Sequence, residues 1–395
     1  MTTMTTPAAR SAAPASRPTD GDARAVGRWL AAWAVLVVAI ILVGGATRLT
    51  ESGLSITEWK PVSGVVPPVT DAQWAAAFEK YQRIPQYQRL NAGMSLDAFK
   101  AIYLWEFWHR IVARLAGLAF VLPLAWFALR RRIPAFARRR VALLLVLLLA
   151  QAAMGWWMVS SGLSVRTEVS QYRLAAHLTL ALVILALTVW TAADLLVGRR
   201  SSGAVSGGWR SRALPALLGL VFVTCGSGAL VAGLRAGKVF NTFPLMGGRV
   251  VPSGYGQLAP WWRNLFENHA AVQFDHRVLA VTTFLAAVVL WAVLRRSANR
   301  RLARRMHLVL GAALLQLALG IATLLLGVPV ALGVAHQGGA VLLLIAVLLA
   351  WHADGVPSPL PAGARGGASD RDRVDVVPGV GRLPHRPPAA ALTSR

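Results

Sequence analysis

The sequence is poor in cysteine and in charged residues. Only 14% of its 395 residues are Asp, Glu, Lys or Arg, whereas a soluble protein of this size carries about a quarter. The single cysteine, Cys225, lies in an apolar run, so an intrachain disulfide and a thiolate metal cluster are both excluded. We interpret Cys225 as a small buried hydrophobic side chain. Residues 1–27 lack the apolar run of a cleaved secretory signal and are interpreted as a flexible cytoplasmic tail.

Apolar residues make up 56% of the chain, and they are concentrated in long runs. Runs of about 20 residues with few charges predict membrane-spanning helices. The sequence contains eight such runs, at residues 28–47, 102–129, 141–161, 174–197, 213–233, 272–294, 306–327 and 331–351. The predicted fold class is therefore an all-α integral membrane protein with eight transmembrane helices.

Acidic residues are scarce beside basic ones, and the formal net charge is +25. In a soluble protein this excess would indicate nucleic-acid binding. Here the arginines cluster in three short loops, at about 129–141, 198–212 and 295–305, so membrane topology explains them better than a nucleic-acid partner. By the positive-inside rule these loops are cytoplasmic. An even number of spans then places both termini in the cytoplasm and the long loops 48–100 and 234–271 on the other side.

The two halves of the chain repeat the same features in the same order. Gln151 and Gly155 in the third predicted span have the same spacing as Gln316 and Gly320 in the seventh. A histidine closes the segment AAH at the start of the fourth span and VAH at the start of the eighth. We therefore expect two four-helix bundles formed by duplication of one unit. Because each contains an even number of spans, both would insert in the same orientation, as a parallel repeat.

This repeat defines the predicted domains. The first four-helix half comprises residues 28–198 and the second residues 213–352, and a cytoplasmic linker at 199–212 joins them. Residues 353–395 are rich in Pro, Gly and Arg and are interpreted as a disordered cytoplasmic tail. In the first outer loop, the segment DAQWAAAFEKYQRI predicts an amphipathic helix that either lies on the membrane interface or packs against a neighbouring helix.

Four of the eight histidines lie near the start of an even-numbered predicted helix. They are His109, His177, His276 and His336. The first three each precede an arginine cluster by about 20 residues, or about 30 Å of helix at 1.5 Å per residue. His336 has a similar position in its own helix. We expect all four at one level near the outer membrane boundary, with two in each half.

Paired histidines on facing helices indicate haem binding. Neutral imidazole is a good axial ligand of haem iron, and a four-helix bundle can hold a porphyrin between its helices. A single histidine at a membrane boundary is more simply a hydrogen-bonded interfacial side chain, but four at matched depth are not. Zinc would need further ligands at short spacing, which are missing here. No ligand role is assigned to the remaining histidines. We expect His307 and His352 at the cytoplasmic edge, beside arginines or the tail, His269 in the second long loop and His385 in the tail.

The halves differ in charge beside these histidines. Glu106 precedes His109 by three residues and lies on the same helix face, whereas the matching residue in the second half is Gln273. Ser95 is the expected N-cap of the first-half helix, which places Glu106 well inside it. A carboxylate near a metal centre at a membrane boundary is costly and usually functional. The difference suggests that the first site performs chemistry and the second holds a permanent electron carrier. Six basic residues are candidates to pair with haem propionates: Arg48, Lys60, Arg110, Arg235, Lys238 and Arg277.

Six segments together carry a resemblance to a known family. They are GGATRLTESGLSITEWKPVSGVVPP, EFWHR, AAH, NTFPLMGG, FDHR and AHQ, and the resemblance covers roughly residues 28–352 and all eight predicted helices. This combination resembles the haem A synthase family, in the Cox15-like form found in proteobacteria and mitochondria. Other members, in bacteria such as bacilli, carry a cysteine pair in the outer loops, and this chain lacks that pair.

The resemblance implies an activity, a cofactor and roles for the site residues. Members of the family oxidise the C8 methyl group of haem O to a formyl group, which gives haem A for terminal oxidases. The resemblance implies that His276 and His336 ligate a resident haem b. It implies that His109 and His177 face or ligate the iron of the substrate haem, and that Glu106 is the acid needed for the oxidation.

The resemblance also implies a setting for the protein. The expected location is the cell inner membrane, among lipid, with the haem sites toward the periplasmic side. Haem O is the expected substrate, and haem O synthase is an expected partner because the two enzymes share a poorly soluble intermediate. No motif identifies the electron donor or the source of the formyl oxygen, and a homo-oligomer stays open.

Two other hypotheses lead to different functions. A di-haem electron-transfer cytochrome would use the four histidines without changing the porphyrin, although such proteins typically place haems near both membrane faces. A transporter would account for a parallel repeat, but the spans contain few of the midplane polar groups expected of one. Neither a transporter nor an interfacial role explains four histidines at one level.

Overall fold

The computed structural model describes residues 18–60, 63–199 and 209–355, so the predicted tails and part of the linker lie largely outside the described residues. Within these ranges all regular secondary structure is helical, apart from an isolated bridge between Met246 and Arg249. The helices are α1 (Asp20–Leu49), α2 (Asp71–Gln82), α3 (Pro85–Leu90), α4 (Leu96–Leu129), α5 (Ala135–Ser160), α6 (Gln171–Leu196), α7 (Trp209–Gly233), α8 (Asn264–Glu267), α9 (His269–Leu294), α10 (Arg300–Leu325) and α11 (Val330–Asp354).

Eight of these helices are long and apolar enough to cross a membrane. They are α1, α4, α5 and α6 in the first half, and α7, α9, α10 and α11 in the second. Each contains an 18-residue window with a mean hydropathy of at least 2.0, because leucine, valine and alanine fill it and at most two charged residues lie within it. This confirms the predicted all-α membrane fold and its eight spans.

Helix ends depart from the predicted bounds where polar caps extend the helices. α1 begins at Asp20, eight residues before the predicted span, because Thr19 and Asp22 form a capping box in which the Thr19 hydroxyl accepts from the Asp22 backbone N–H at 3.2 Å. Residues 20–27 are therefore helical rather than part of a flexible tail. α4 begins at Leu96, capped by Ser95, so Glu106 lies well inside the helix, as the sequence predicted.

The two halves pack through four central helices. α1 and α6 of the first half contact α11 of the second, and α6 also packs along α7. One continuous apolar cluster fills this centre, with fully buried Leu30, Leu185 and Leu344 among its members. Trp33 of α1 is buried against Phe120 of α4. The shared core makes the halves one packed unit, while their relation as a repeat stays a prediction.

The amphipathic segment of the first outer loop is helix α2, and its apolar face packs on the protein. Trp74 meets Tyr103 edge-on at 5.2 Å between ring centroids, and Phe78 and Tyr81 pack against Phe99 at 5.0 and 5.2 Å. This separate aromatic cluster covers the outer end of α4. Of the two alternatives left by the sequence, packing against a neighbouring helix is the one the structure adopts.

Candidate functional site

The four singled-out histidines lie at one level of the bundle. His109 is 20 residues before the end of α4 and His177 is 19 before the end of α6. His276 and His336 are each 18 residues before the ends of α9 and α11. At 1.5 Å per residue these intervals are about 27–30 Å. Measured from the helix ends, all four histidines therefore lie at matched depth. In the sequence, the arginine clusters gave this result for only the first three.

Each of these imidazole rings lies against a glycine of the preceding spanning helix. A Cβ placed on the glycine would come within 2.9–3.2 Å of the histidine Cε1. The pairs are Gly44 with His109, Gly155 with His177, Gly228 with His276, and Gly320 with His336. Because contacts that short are not tolerated by close-packed side chains, glycine is needed at each position for the ring to sit where it does. The same cradle is built four times.

The second-half pair has the separation expected of two ligands to one metal. The rings of His276 and His336 are 6.5 Å apart between centroids and nearly perpendicular, at 87°. An imidazole nitrogen binds a metal at about 2 Å, so two rings on one ion have centroids roughly 6–6.5 Å apart. Nδ1 of His276 lies 2.8 Å from the Ser227 hydroxyl, which orients the ring and leaves Nε2 available as a ligand atom. These residues fit a bis-histidine haem.

The first-half pair is held differently. The Gln151 side-chain amide donates to the backbone carbonyl of His177 at 3.1 Å and lies 3.2–3.3 Å from both ring nitrogens. Nδ1 of His109 is buried and has no hydrogen-bond partner among the described residues. No ring contact joins His109 and His177 over the described chain, in contrast to the second half. Nδ1 of His336 is likewise buried without a partner among the described residues, so the two pairs differ in their ring contact and not in this respect.

The Glu106 side chain forms hydrogen bonds that link the loop after α1 to α4. Its Oε2 accepts from the Ser55 hydroxyl and the Ile56 backbone N–H, both at 2.8 Å. Its Oε1 accepts from Arg110 at 2.6 Å. The Glu106 residue is only 2% exposed, so the carboxylate is stabilised by charge-assisted hydrogen bonds rather than by water.

Arg110, one turn further along α4, completes the arrangement around Glu106, which we call the carboxylate clamp. Its guanidinium donates to the carbonyls of Ile56 and Glu58, each at 2.8 Å. Lys80 and Lys60 in turn hold the pKa of the Glu58 carboxyl below its usual range through hydrogen bonds. Glu106 and Arg110 therefore fix the backbone of residues 55–58 beside His109.

The second half has the same contact without the acid. The Gln273 amide donates to the Phe240 carbonyl at 3.0 Å. Arg277 donates to the carbonyls of Phe240 and Thr242, each at 2.8 Å. The arginine after the site histidine thus grips two carbonyls two residues apart in both halves. We call this arrangement of Gln273 and Arg277 the amide clamp.

The structure gives most of the predicted propionate partners other contacts. Arg110 and Arg277 belong to the two clamps. Arg48 and Arg235 both pair with Glu168, the former at 2.5 Å, and so tie the ends of α1 and α7 together. Of the remaining two candidates, Lys60 lies in a loop and pairs with Glu58 at 3.0 Å, and Lys238 is the exposed last residue of a short 3-10 helix, Ala236–Lys238.

A fifth histidine is buried at the opposite end of the bundle. His352 Nε2 lies 2.9 Å from Asp194, whose other oxygen accepts from Arg140 at 2.5 Å. The sequence placed His352 at an edge beside arginines or the tail, but it is fully buried and connects α11 to α6. His269, expected in a loop, is instead the exposed first residue of α9.

The fold and the histidine pairs define a class: a polytopic helical membrane protein with two sites suited to haem-type groups. The chain belongs to the cytochrome oxidase assembly protein family COX15-CtaA, whose family model matches residues 27–348. This confirms the resemblance drawn from the motifs.

Several characterised relatives match most of the chain. A heme A synthase of Rhodopseudomonas palustris (strain BisA53) is 54% identical over 325 residues, which cover 82% of this chain and 89% of the relative. Heme A synthases of Parvibaculum lavamentivorans (strain DS-1 / DSM 13023 / NCIMB 13966) and Bradyrhizobium sp. (strain ORS 278) are 47% and 48% identical, over 85% and 84% of this chain and 95% and 92% of their own lengths.

Proposed function

We propose that this chain is a haem A synthase, which oxidises the C8 methyl group of haem O to a formyl group and so supplies haem A to terminal oxidases. The observation that carries the proposal is one chain with two histidine pairs at the same level in unlike surroundings. The relatives are named heme A synthase. Two haems that both served only as electron carriers would not need a buried acid at one site and none at the other.

The second half is the proposed site of the resident haem b. His276 and His336 would be its axial ligands, which is supported by their 6.5 Å ring separation and by the Ser227 contact that orients His276. When bound, such a group supplies one-electron chemistry. Gly228 and Gly320 leave the space in which the two rings lie.

The first half is the proposed site of the substrate haem, with His109 and His177 facing its iron. Glu106 is the proposed acid of the reaction, and its contacts support a positioning role: it holds residues 55–58 and Arg110 over the site. A reaction at one methyl group of a large flat substrate depends on that orientation.

The proposed setting is the inner membrane, with both termini in the cytoplasm and the haem sites toward the periplasm. The arginine clusters at the ends of α4, α6 and α9 support it, because short basic loops stay on the cytoplasmic side. A membrane electron donor and haem O synthase are the proposed partners.

Extraction and mass analysis of the bound haem tests this function directly. Purified wild-type protein and Glu106→Ala would be produced with a supply of haem O. We expect haem b and haem A in the wild type, and haem b with accumulated haem O in the variant. Haem b alone in both, without conversion, would overturn the synthase proposal and leave the electron-transfer cytochrome.

A further inference from the structure

The two halves differ in how their helices close around the site. In the second half each helix packs along two neighbours, α7 on α9, α9 on α10, α10 on α11 and α11 on α7, so the four form a closed ring. In the first half α1 packs on α4 and α6, and α5 packs on α6, but α4 and α5 make no extended contact over their described lengths. One side of the first bundle is therefore open to the lipid.

The first half has a glycine where the second half has a phenylalanine. Gly117 lies eight residues after His109, and Phe284 lies eight residues after His276. Phe284 packs against the main apolar cluster. A Cβ on Gly117 would meet nothing within 4 Å. The first bundle thus has open space at the position that an aromatic ring occupies in the second.

The open side leads to the carboxylate clamp and to His109. Arg110 of α4 and Trp156 of α5 line one small cavity at the level of the site. Gly117 is seven residues after Arg110, and Leu149 is seven before Trp156, so each lies on the same helix face as its partner. Gly117 is 12 residues from the end of α4 and Leu149 is 14 from the start of α5, hence at similar depth.

The surface of this opening suits an apolar, flat molecule. Leu149 is 64% exposed and Trp156 is 50% exposed. Aromatic side chains present broad faces on which a porphyrin ring can stack, and Arg110 stands at the outer end, where carboxylate groups would lie. A haem that arrives dissolved in the bilayer meets apolar surface first and charge last.

We propose that the open side between α4 and α5 is a lateral portal through which the haem substrate enters from the lipid and the product leaves, while the closed ring of the second half retains its own haem. This inference rests on the proposed function, because it takes haem O as the molecule that passes. It explains why one chain can keep one porphyrin and exchange another.

A reciprocal exchange of the two residues tests the portal. Protein in lipid nanodiscs would be mixed with haem O in liposomes, and uptake would be followed by the Soret absorbance. We expect Gly117→Phe to slow uptake at least tenfold and to leave the resident haem in place. Phe284→Gly should leave uptake unchanged and speed the loss of resident haem to apomyoglobin at least fivefold. Equal uptake by Gly117→Phe and wild type would overturn the proposal.

A cross-link tests the portal without adding a large side chain. In a Cys225→Ala background, cysteines would replace Gly117 and Leu149, and the matched control would carry them at Phe284 and Leu314. A bis-maleimide joining α4 to α5 should slow uptake at least tenfold relative to the same protein before cross-linking, whereas one joining α9 to α10 should not. Unchanged uptake across the first link, or equal slowing by both, would overturn the portal.

The same samples separate the portal from the proposed function. If haem O is taken up through α4 and α5 but no haem A appears, the synthase proposal fails and the portal stands. If the protein before cross-linking takes up no haem O, the portal itself is wrong. Conversion of haem O that continues at full rate with α4 and α5 joined would leave the function standing and reject the portal.

Discussion

The carboxylate clamp of the first half and the amide clamp of the second make the same mechanical contact with different chemistry. In both, the arginine after the site histidine holds two carbonyls of the outer loop. Glu106 adds a charge-assisted grip on Arg110 and on a backbone N–H, whereas Gln273 offers a neutral donor to one carbonyl. The half without the acid is the one to which we assign the retained haem. The acid is found where, on our proposal, the bound molecule changes.

The largest expected effect comes from removing a ligand of the retained haem. His336→Ala should reduce the resident haem to almost none, since the paired ring of His276 is then left as a single ligand. Haem per protein would be measured by absorbance after purification. His269→Ala, at the exposed start of α9, is the control and should keep its full content. Normal haem content in His336→Ala would show that this pair is not the resident site.

The second-largest expected effect tests the chemical difference between the carboxylate clamp and the amide clamp. Glu106→Gln gives the first half the residue type of the second and leaves the Arg110 charge without its carboxylate, at a cost of about 3 kcal/mol for a largely buried pair. We expect conversion of haem O to fall roughly 100-fold while the resident haem stays.

The reciprocal variant Gln273→Glu serves as the control for that change. It should keep the resident haem and most of the conversion, because Arg277 is already placed to receive a carboxylate. Both variants would be assayed by mass analysis of extracted haem. Wild-type conversion by Glu106→Gln would contradict a role for the charge.

A smaller effect is expected where a glycine cradles a ligand. Gly320→Ala places a Cβ 2.9 Å from the His336 ring, so the ring or its helix must shift by several tenths of an ångström. We expect the resident haem to dissociate about fivefold faster, as the cost of mild overpacking is about 1 kcal/mol. Gly311→Ala, on the same helix with nothing within 4 Å, is the matched control. Equal dissociation rates in the two variants would count against the cradle.

The fold was largely predictable because a bilayer imposes length and apolarity on every span. Hydropathy gave all eight helices, and Ser95 was recognised as the cap of α4. The start of α1 was missed because its capping box, Thr19 with Asp22, lies in a polar segment that resembles a tail. Hydropathy reports where lipid begins, not where helical hydrogen bonding begins.

The site was predictable only in its side chains. Spacing and repetition found the four histidines and Glu106, and marked Gly155 and Gly320 as matched positions. Gly44 and Gly228 were missed as cradles, because glycine is common in membrane helices and carries no side-chain signal. The amide clamp was also hidden, since the carbonyl of Phe240 is an acceptor that every residue possesses.

The pairing of His352 with Asp194 had no signal in the sequence either, since 158 residues separate them. The open side of the first bundle shows the same limit. Gly117 and Phe284 are visible in the sequence, but only helix packing shows that one leaves space and the other fills it. Side-chain type predicts candidate chemistry, whereas tertiary contacts decide which candidates meet.

The smallest expected effect concerns Glu58, a residue of the loop after α1 whose carboxylate pairs with Lys60 and Lys80. Lys80 and Lys60 lower the pKa of Glu58 from its ordinary value near 4.5, so the carboxylate contributes stability above that value and loses it as pH falls through the lowered pKa. Because Glu58 is 45% exposed, solvent screening limits the contribution to about 0.5 kcal/mol. Glu58→Gln should therefore lower the thermal midpoint slightly at pH 7 and leave it equal to wild type well below pH 4. A larger difference in acid than at neutral pH would contradict this assignment of the charge.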